Sequence, residues 1–277
     1  MSGQTVEAPS GKGKEDENFP VGSRLIRPAL RPHVHAFYAF ARHADDIADS
    51  ATLAPEDKLK RLDTMGAVLI GDAEVGSDSA LVLRDSLEQT GVTPQHSLDL
   101  LHAFRQDATK TRYANWGELL DYCRYSAAPV GRHVLDLHGE SNSTYKASDA
   151  LCASLQVLNH LQDFGGDLAE LDRCYLPQDL LARAGISTDT LRQTSTPPGL
   201  RRVLDDMLDA TDQLNVTGAL LPRQVRDRRL RVETAVISNL ANRLAARLRR
   251  EDPLAGRVKL RRGDVVASVL RALPRLM

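Results

Sequence analysis

Tyr38, Arg42, Asp45 and Asp49 follow one another at helical spacing, the last three lying four, seven and eleven residues beyond the first. On an α-helix these four fall in one narrow stripe. The side chains around them are apolar or small: Ala36, Phe37, Ala39, Phe40, Ala41, Ala44 and Ile47. Asp45 and Asp49 stand one turn apart and repel each other. A hard divalent cation such as Mg2+ removes that repulsion, because it takes oxygen ligands and completes its shell with water or phosphate. An exposed acidic turn at a helix end would have the same local sequence, so this stripe alone does not decide.

A second stripe has the same form. Gln156, Asn159, Asp163 and Asp167 share one helical face, flanked by Leu155, Val157, Leu158, Leu161 and Phe164. Two amides and two carboxylates on an otherwise apolar helix are costly to bury unless they meet partners or a metal. The alternative is a buried amide network between helices. Gly165-Gly166 interrupts the pattern, and a helix that unwinds there would take Asp167 out of the stripe. Asp45, Asp49, Asn159, Asp163 and Asp167 are thus the candidate metal ligands. Two such edges could together clamp a diphosphate, whose departure requires its charge to be neutralised. The carbocation left behind needs a dry, apolar cavity.

Two further segments could serve that site. Tyr122 to Gly131 carries Ser126, Ala127, Ala128 and Gly131 with Pro129 between them. Small residues and a proline kink make room for a bulky ligand, or simply let helices pack closely. Arg173 and Tyr175 follow the second stripe, and Arg173 could reach a phosphate.

The elements that must position these groups read as helices. Pro55 and Glu56 open one that runs to about Ile70, and Thr93-Pro94 opens another. Asn115 and Glu118 have capping-box spacing. A long helix covers about Lys146 to Phe164, two more are divided at Pro222, and a short amphipathic one closes the chain from Asp264 to Ala272. No period-two alternation or fixed repeat is present. Aromatics are 4% of 277 residues, which leaves the interior to Leu, Ala and Val and favours helices over a sandwich or barrel. The first 17 residues are poor in large apolar side chains and read as a disordered tail ahead of one helical domain over residues 18–277.

A formal net charge of -1 gives no global field for nucleic acid, which is not expected as a partner. The arginine-dense stretch from Arg223 to Arg262 reads as a solvated face or as a phosphate or membrane-surface patch. Cys123, Cys152 and Cys174 form no CxxC pair and suit a reducing compartment. Without a membrane-spanning run or a signal peptide, the expected location is cytoplasmic, with peripheral contact at the inner membrane face left open.

Taken in order, Tyr38-Ala39-Phe40-Ala41-Arg42 with Asp45-Asp46-Ile47-Ala48-Asp49, Tyr122 through Gly131, Gln156 through Asp167, and Tyr175-Leu176-Pro177 resemble the squalene and phytoene synthases, the head-to-head trans-isoprenyl diphosphate synthases. The resemblance implies an all-α, single-domain class I isoprenoid (terpene) synthase fold with a central cavity. It implies that Asp45, Asp49, Asp163 and Asp167 bind diphosphate through Mg2+. Tyr38, Arg42, Gln156, Asn159, Arg173 and Tyr175 would line the diphosphate end, and Tyr122, Ser126, Ala127, Val130 and Gly131 the channel. The opening Glu17-Asn18-Phe19-Pro20-Val21 resembles the bacterial hopanoid branch of that family, and brings Asn18 and Phe19 in as substrate-binding candidates. That branch converts presqualene diphosphate to hydroxysqualene by loss of diphosphate, rearrangement and capture of water. Gln162, where synthases often carry Arg, and the acidic Glu17 both remove positive charge, which suits a site with one diphosphate to hold. The alternatives are condensation of two prenyl diphosphates, such as farnesyl diphosphate, to presqualene diphosphate, squalene or phytoene, and a non-catalytic helical partner protein. Other enzymes of the same route are possible partners.

Overall fold

The structure is a computed structural model that describes residues 5–7 and 25–276. Asn18 and Phe19, and most of the stretch read as a tail, lie outside the described residues. Within that stretch the Glu7 carboxylate accepts from Ser79 N at 2.9 Å and Ser79 Oγ at 2.6 Å, and pairs with His43 at 2.9 Å.

Twelve α-helices are described: α1 (Arg31–Ala48), α2 (Pro55–Ile70), α3 (Asp78–Thr90), α4 (Gln95–Asp107), α5 (Trp116–Ser126), α6 (Ala128–Leu137), α7 (Tyr145–Leu171), α8 (Gln178–Arg183), α9 (Pro198–Gly218), α10 (Leu221–Gln224), α11 (Arg228–Leu248) and α12 (Arg262–Ala272). Among the described residues there is no strand, and one isolated bridge joins Arg112 to Cys174.

The helix ends follow local chemistry. Proline stands in the first turn of α1, α2, α6 and α9, where no intrahelical N–H bond is lost. Asn115 caps α5 by accepting from Glu118 N at 3.0 Å. The reciprocal half of the capping box differs from the expectation: the Glu118 carboxylate accepts from Ala114 N, and pairs with Lys110. Pro129 does not kink a continuous helix. The chain breaks at Ala127 (φ -124°, ψ -47°), and Pro129 then sits in the first turn of α6, where its ring fits. Conversely, Gly165-Gly166 does not break α7, which runs through 27 residues and keeps Asp167 on the stripe. Gly165 is instead a close approach, since a Cβ there would lie 3.0 Å from Leu254 Cδ2. The division near Pro222 is a short helix of its own, α10.

Among the described residues three apolar clusters form, the smallest between α11 and α12. One joins α1 to α4 through Phe37, Phe40, Ile47, Leu62, Met65, Leu83 and Leu101. The largest joins α5, α7, α9 and α11 through Leu119, Leu158, Phe164, Leu204, Met207 and Leu244. Gly218 lets α9 lie against α7, since a Cβ there would be 3.1 Å from Leu151 Cα. A cavity of about 430 Å³ lies where α1, α4, α5, α6, α7 and α11 meet. Cys123, Cys152 and Cys174 are free thiols, and burial pushes Cys123 up to about 12, which makes it a packed side chain rather than a nucleophile.

Beside the cavity, His133 is fully buried, with Phe37 stacked on it at 3.9 Å and neither ring nitrogen hydrogen-bonded. Burial first, then the neighbouring His96 and His33, push its pKa down to about 3. Unfolding frees this imidazole to take a proton, so acid favours the unfolded chain. The contribution is intact above the ordinary histidine value and is lost as pH falls through about 6.5 towards about 3. His133→Phe is expected to raise stability by roughly 1–3 kcal/mol at pH 7, by removing the unpaired polar atoms. Its advantage should then grow by about 1 kcal/mol for each pH unit below that window's upper edge. Urea unfolding at several pH values checks both statements.

Candidate active site

The first stripe lies on the inner face of α1. Tyr38, Arg42 and Asp45 line the cavity beside Val34, Phe37 and Ala41. Arg42 bridges Asp45 and Asp46, each at 3.3 Å. A third of the Asp45 side chain is accessible, and it lines this partly open cavity. Its pKa is raised, by burial first and by Asp49 next, while Arg42 acts against the shift. Burial and the neighbouring carboxylate thus outweigh the arginine at Asp45.

Asp49 ends the stripe and is held by Arg173, which also donates to Ala48 O at 2.9 Å and Asp107 O at 3.0 Å. Arg173 is buried, and its placement comes from the segment after α7. There Cys174 N donates to Thr111 O and Gln178 N to Tyr113 O, both at 2.9 Å. That lacing fixes Tyr175 as well, which stacks on His160 at a ring distance of 3.6 Å.

The second stripe lies on α7. Gln156 lines the cavity, and its amide nitrogen is 3.3 Å from His160 Nε2. Asn159 is half-buried one turn before Asp163. Arg257 donates to Asp163 at 2.7 Å, and His160 Nδ1 lies 3.9 Å from Asp167. Burial raises the Asp163 pKa, and Arg257 opposes the rise. Gln162 does not face this cluster. It is buried and donates to Val258 O, anchoring the segment that delivers Arg257. The positive charge thought missing near Asp163 is thus supplied from a distant part of the chain.

Several residues at this end were not singled out in the sequence. Asp107, the last residue of α4, accepts from Tyr122 Oη at 2.8 Å and from Tyr175 Oη at 3.3 Å. Burial pushes it up to about 7, against the pull of Arg173 and the two tyrosines. The contacts run from Asp49 through Arg173 to Asp107, then through Tyr175 and His160 to Asp167, and so connect the two stripes. Lys58 donates to Ala48 O at 2.9 Å beside Asp49, and burial, then Arg173, lower its pKa. Asp107 and His160 each follow apolar neighbours at helical spacing, which was the available signal. Lys58 and Arg257 had none.

Tyr122, Ser126, Val130 and Gly131 line the cavity with Leu100, Phe104, Val134, Leu135, Leu151, Leu155 and Ile237. Ala127 is buried at the break between α5 and α6 and is not one of the wall residues. Gly131 serves both wall and packing, since a Cβ there would meet Ser148 Oγ at 2.3 Å and Cys152 Sγ at 2.7 Å.

Among the described residues no three His, Cys, Asp or Glu form a complete metal cage. Carboxylates one helical turn apart do fit Mg2+, which binds through one or two carboxylates and takes its remaining ligands from water and phosphate. The arrangement can hold an anion bearing several charges at one end of a hydrocarbon chamber, with Arg42, Lys58, Arg173 and Arg257 near that end.

The squalene/phytoene synthase family profile matches residues 12–264. The chain is 49% identical to a hydroxysqualene synthase of Sinorhizobium fredii over 245 residues, covering 88% of this chain and 84% of that one. A hydroxysqualene synthase of Rhodopseudomonas palustris is 46% identical over 267 residues, 96% and 91% of the two chains. The crystal structure of squalene synthase HpnC from Alicyclobacillus acidocaldarius superposes with a TM-score of 0.74 at 33% identity, covering 83% of this chain and 87% of that chain.

The repulsion across the first stripe gives a direct expectation. Asp45→Asn should raise the melting temperature of the metal-free protein by a few degrees, since relieving the burial and like-charge cost of this half-buried carboxyl is worth roughly 1 kcal/mol. Differential scanning fluorimetry in chelator measures this, and a lowered melting temperature would contradict the charge reading.

Proposed function

The chain belongs to the squalene/phytoene synthase family, and from that membership we propose that it is a hydroxysqualene synthase acting on presqualene diphosphate. The observation that carries the reading is the chamber itself. Asp45 and Gln156, from the two acid-bearing helices, stand on a wall that is otherwise largely hydrocarbon. The identity to hydroxysqualene synthases over most of the chain supports the same choice within the family.

In this reading Asp45 and Asp49 on one side, and Asp163 and Asp167 with Asn159 on the other, would hold Mg2+. Mg2+ bound there would supply positive charge against the diphosphate and so ease its departure. Arg42 and Arg173 give N–H donors at the same end, Arg173 being oriented by its bonds to Ala48 O and Asp107 O. Arg257 exchanges part of its pairing with Asp163 for the incoming anion. The substrate's carbon–oxygen bond breaks, and its electron pair departs with the diphosphate. The cyclopropylcarbinyl cation rearranges between Phe37, Phe104, Leu151 and Leu155, where few nucleophiles reach it. A water oxygen then bonds to carbon and releases a proton, giving hydroxysqualene and diphosphate. The overall change is substitution by water, so no reductant enters the balance.

Tyr122 is held by Asp107 and faces the chamber, which fixes its ring against the hydrocarbon part of the substrate. Gly131 and Val130 keep space beside α7. A substrate with long isoprenoid arms comes from a lipid phase, so peripheral contact with a membrane, at the inner face, and handover from an enzyme that makes presqualene diphosphate belong to the same proposal.

Purified protein with Mg2+ is expected to convert presqualene diphosphate to hydroxysqualene without NADPH, followed by gas chromatography of the extracted products. Consumption of farnesyl diphosphate alone, with presqualene diphosphate untouched, would overturn the assignment. Asp163→Asn should lower turnover by at least ~100-fold while the protein keeps its circular dichroism spectrum. Full turnover in that variant would remove the metal clamp.

A further inference from the structure

Helix α12 carries an apolar stripe that faces away from the protein. Ser268 and Ala272 are fully buried against α11, whereas Val265, Val266, Val269, Leu270 and, just past the helix, Leu273 are exposed. Val266 and Leu270 are exposed to 57% and 61%. At helical spacing the five fall within a sector of about 140°. Scattered exposed valines need no explanation, but a contiguous outward stripe on one helix does.

The charge around this stripe has one sign. Residues 257–274 carry five Lys and Arg against one Asp. That acid, Asp264, is already satisfied by Arg247 at 2.8 Å and Arg243 at 3.3 Å. Arg257 is drawn to Asp163, and Arg261 lies 3.8 Å from Glu251. Lys259, Arg262 and Arg271 are exposed and have no acidic partner among the described residues.

From the outward valine and leucine stripe with this cationic rim we infer that α12 docks the protein on an anionic bilayer surface, lying in the interface with its apolar face down. An apolar face beside Lys and Arg is the pattern of an interfacial helix. A second copy of the chain fits less well. Its own rim would be repelled, and one helix of 11 residues offers far less than the roughly 800 Å² per partner of a stable interface. The consequence reaches the site. The segment from Arg257 to Arg262 runs from Asp163 straight into α12, and its Val258 carbonyl is held by Gln162. Docking therefore brings the second acidic stripe close to the bilayer surface.

The test is flotation of the full-length protein, without substrate, with vesicles of phosphatidylcholine containing phosphatidylglycerol, and with vesicles of phosphatidylcholine alone. The protein should float with the anionic vesicles, less with the neutral ones, and less again in high salt. V266S/L270S should abolish flotation. K259Q/R262Q should weaken partitioning to anionic vesicles roughly thirtyfold and leave the weak neutral binding unchanged. Both variants should turn over presqualene diphosphate in detergent like the unmodified chain, so a failure of the docking surface is separable from a failure of the catalytic reading. Absence of flotation, flotation unaffected by V266S/L270S, or a dimer that V266S/L270S disperses while vesicles go unbound would each overturn the inference.

Discussion

The structure depends on holding like charges together at the edge of an apolar chamber. Asp45 is raised in pKa by burial and by Asp49, and Asp163 by burial. Water reaches about a third of the Asp45 side chain, while Phe37, Leu100, Phe104, Leu151 and Leu155 make the rest of the wall hydrocarbon. A protein gains nothing in stability from such an arrangement. Under the proposed function a cation and a phosphate would complete the charge, and ligand binding would then stabilise the fold.

Keeping the carboxylates in place falls to groups behind them. Arg173 is buried, bonded to Asp49 and to two backbone carbonyls, so it acts as a fixed strut between α1 and α4. Asp107 ties Tyr122 of the chamber wall to Tyr175, and Tyr175 stacks on His160 of α7. The two acid-bearing helices are thus connected by a continuous set of polar and aromatic contacts. On the far side Gln162 and Arg257 hold the segment that leads into α12.

The stripes were legible in the sequence because helical periodicity alone sets which side chains share a face: Tyr38, Arg42 and Asp45 do reach one wall, and Gln156 reaches it from α7. Most helix starts were legible too, since proline and Asn115 act locally. What escaped was set by tertiary structure. Arg257 is 94 residues from Asp163, and no local pattern announces such a pairing. The Gly165-Gly166 step read as a weak point, yet Leu254 packs there and α7 continues. Pro129 read as a kink, whereas a helix boundary at Ala127 accommodates it at less cost. The second half of the Glu118 capping box went to Ala114 because one carboxylate satisfies that N–H and Lys110 together.

The most direct measurement of the central claim is a double-mutant cycle on diphosphate affinity in Mg2+, using Asp49→Asn, Asp167→Asn and the pair, with titration calorimetry on the full-length protein. If α1 and α7 grip one shared ligand, either change alone removes most of the binding and the second adds little. Losses that simply sum, or binding that survives one of the two changes intact, would mean that the stripes act separately and that the shared site is not what these helices build.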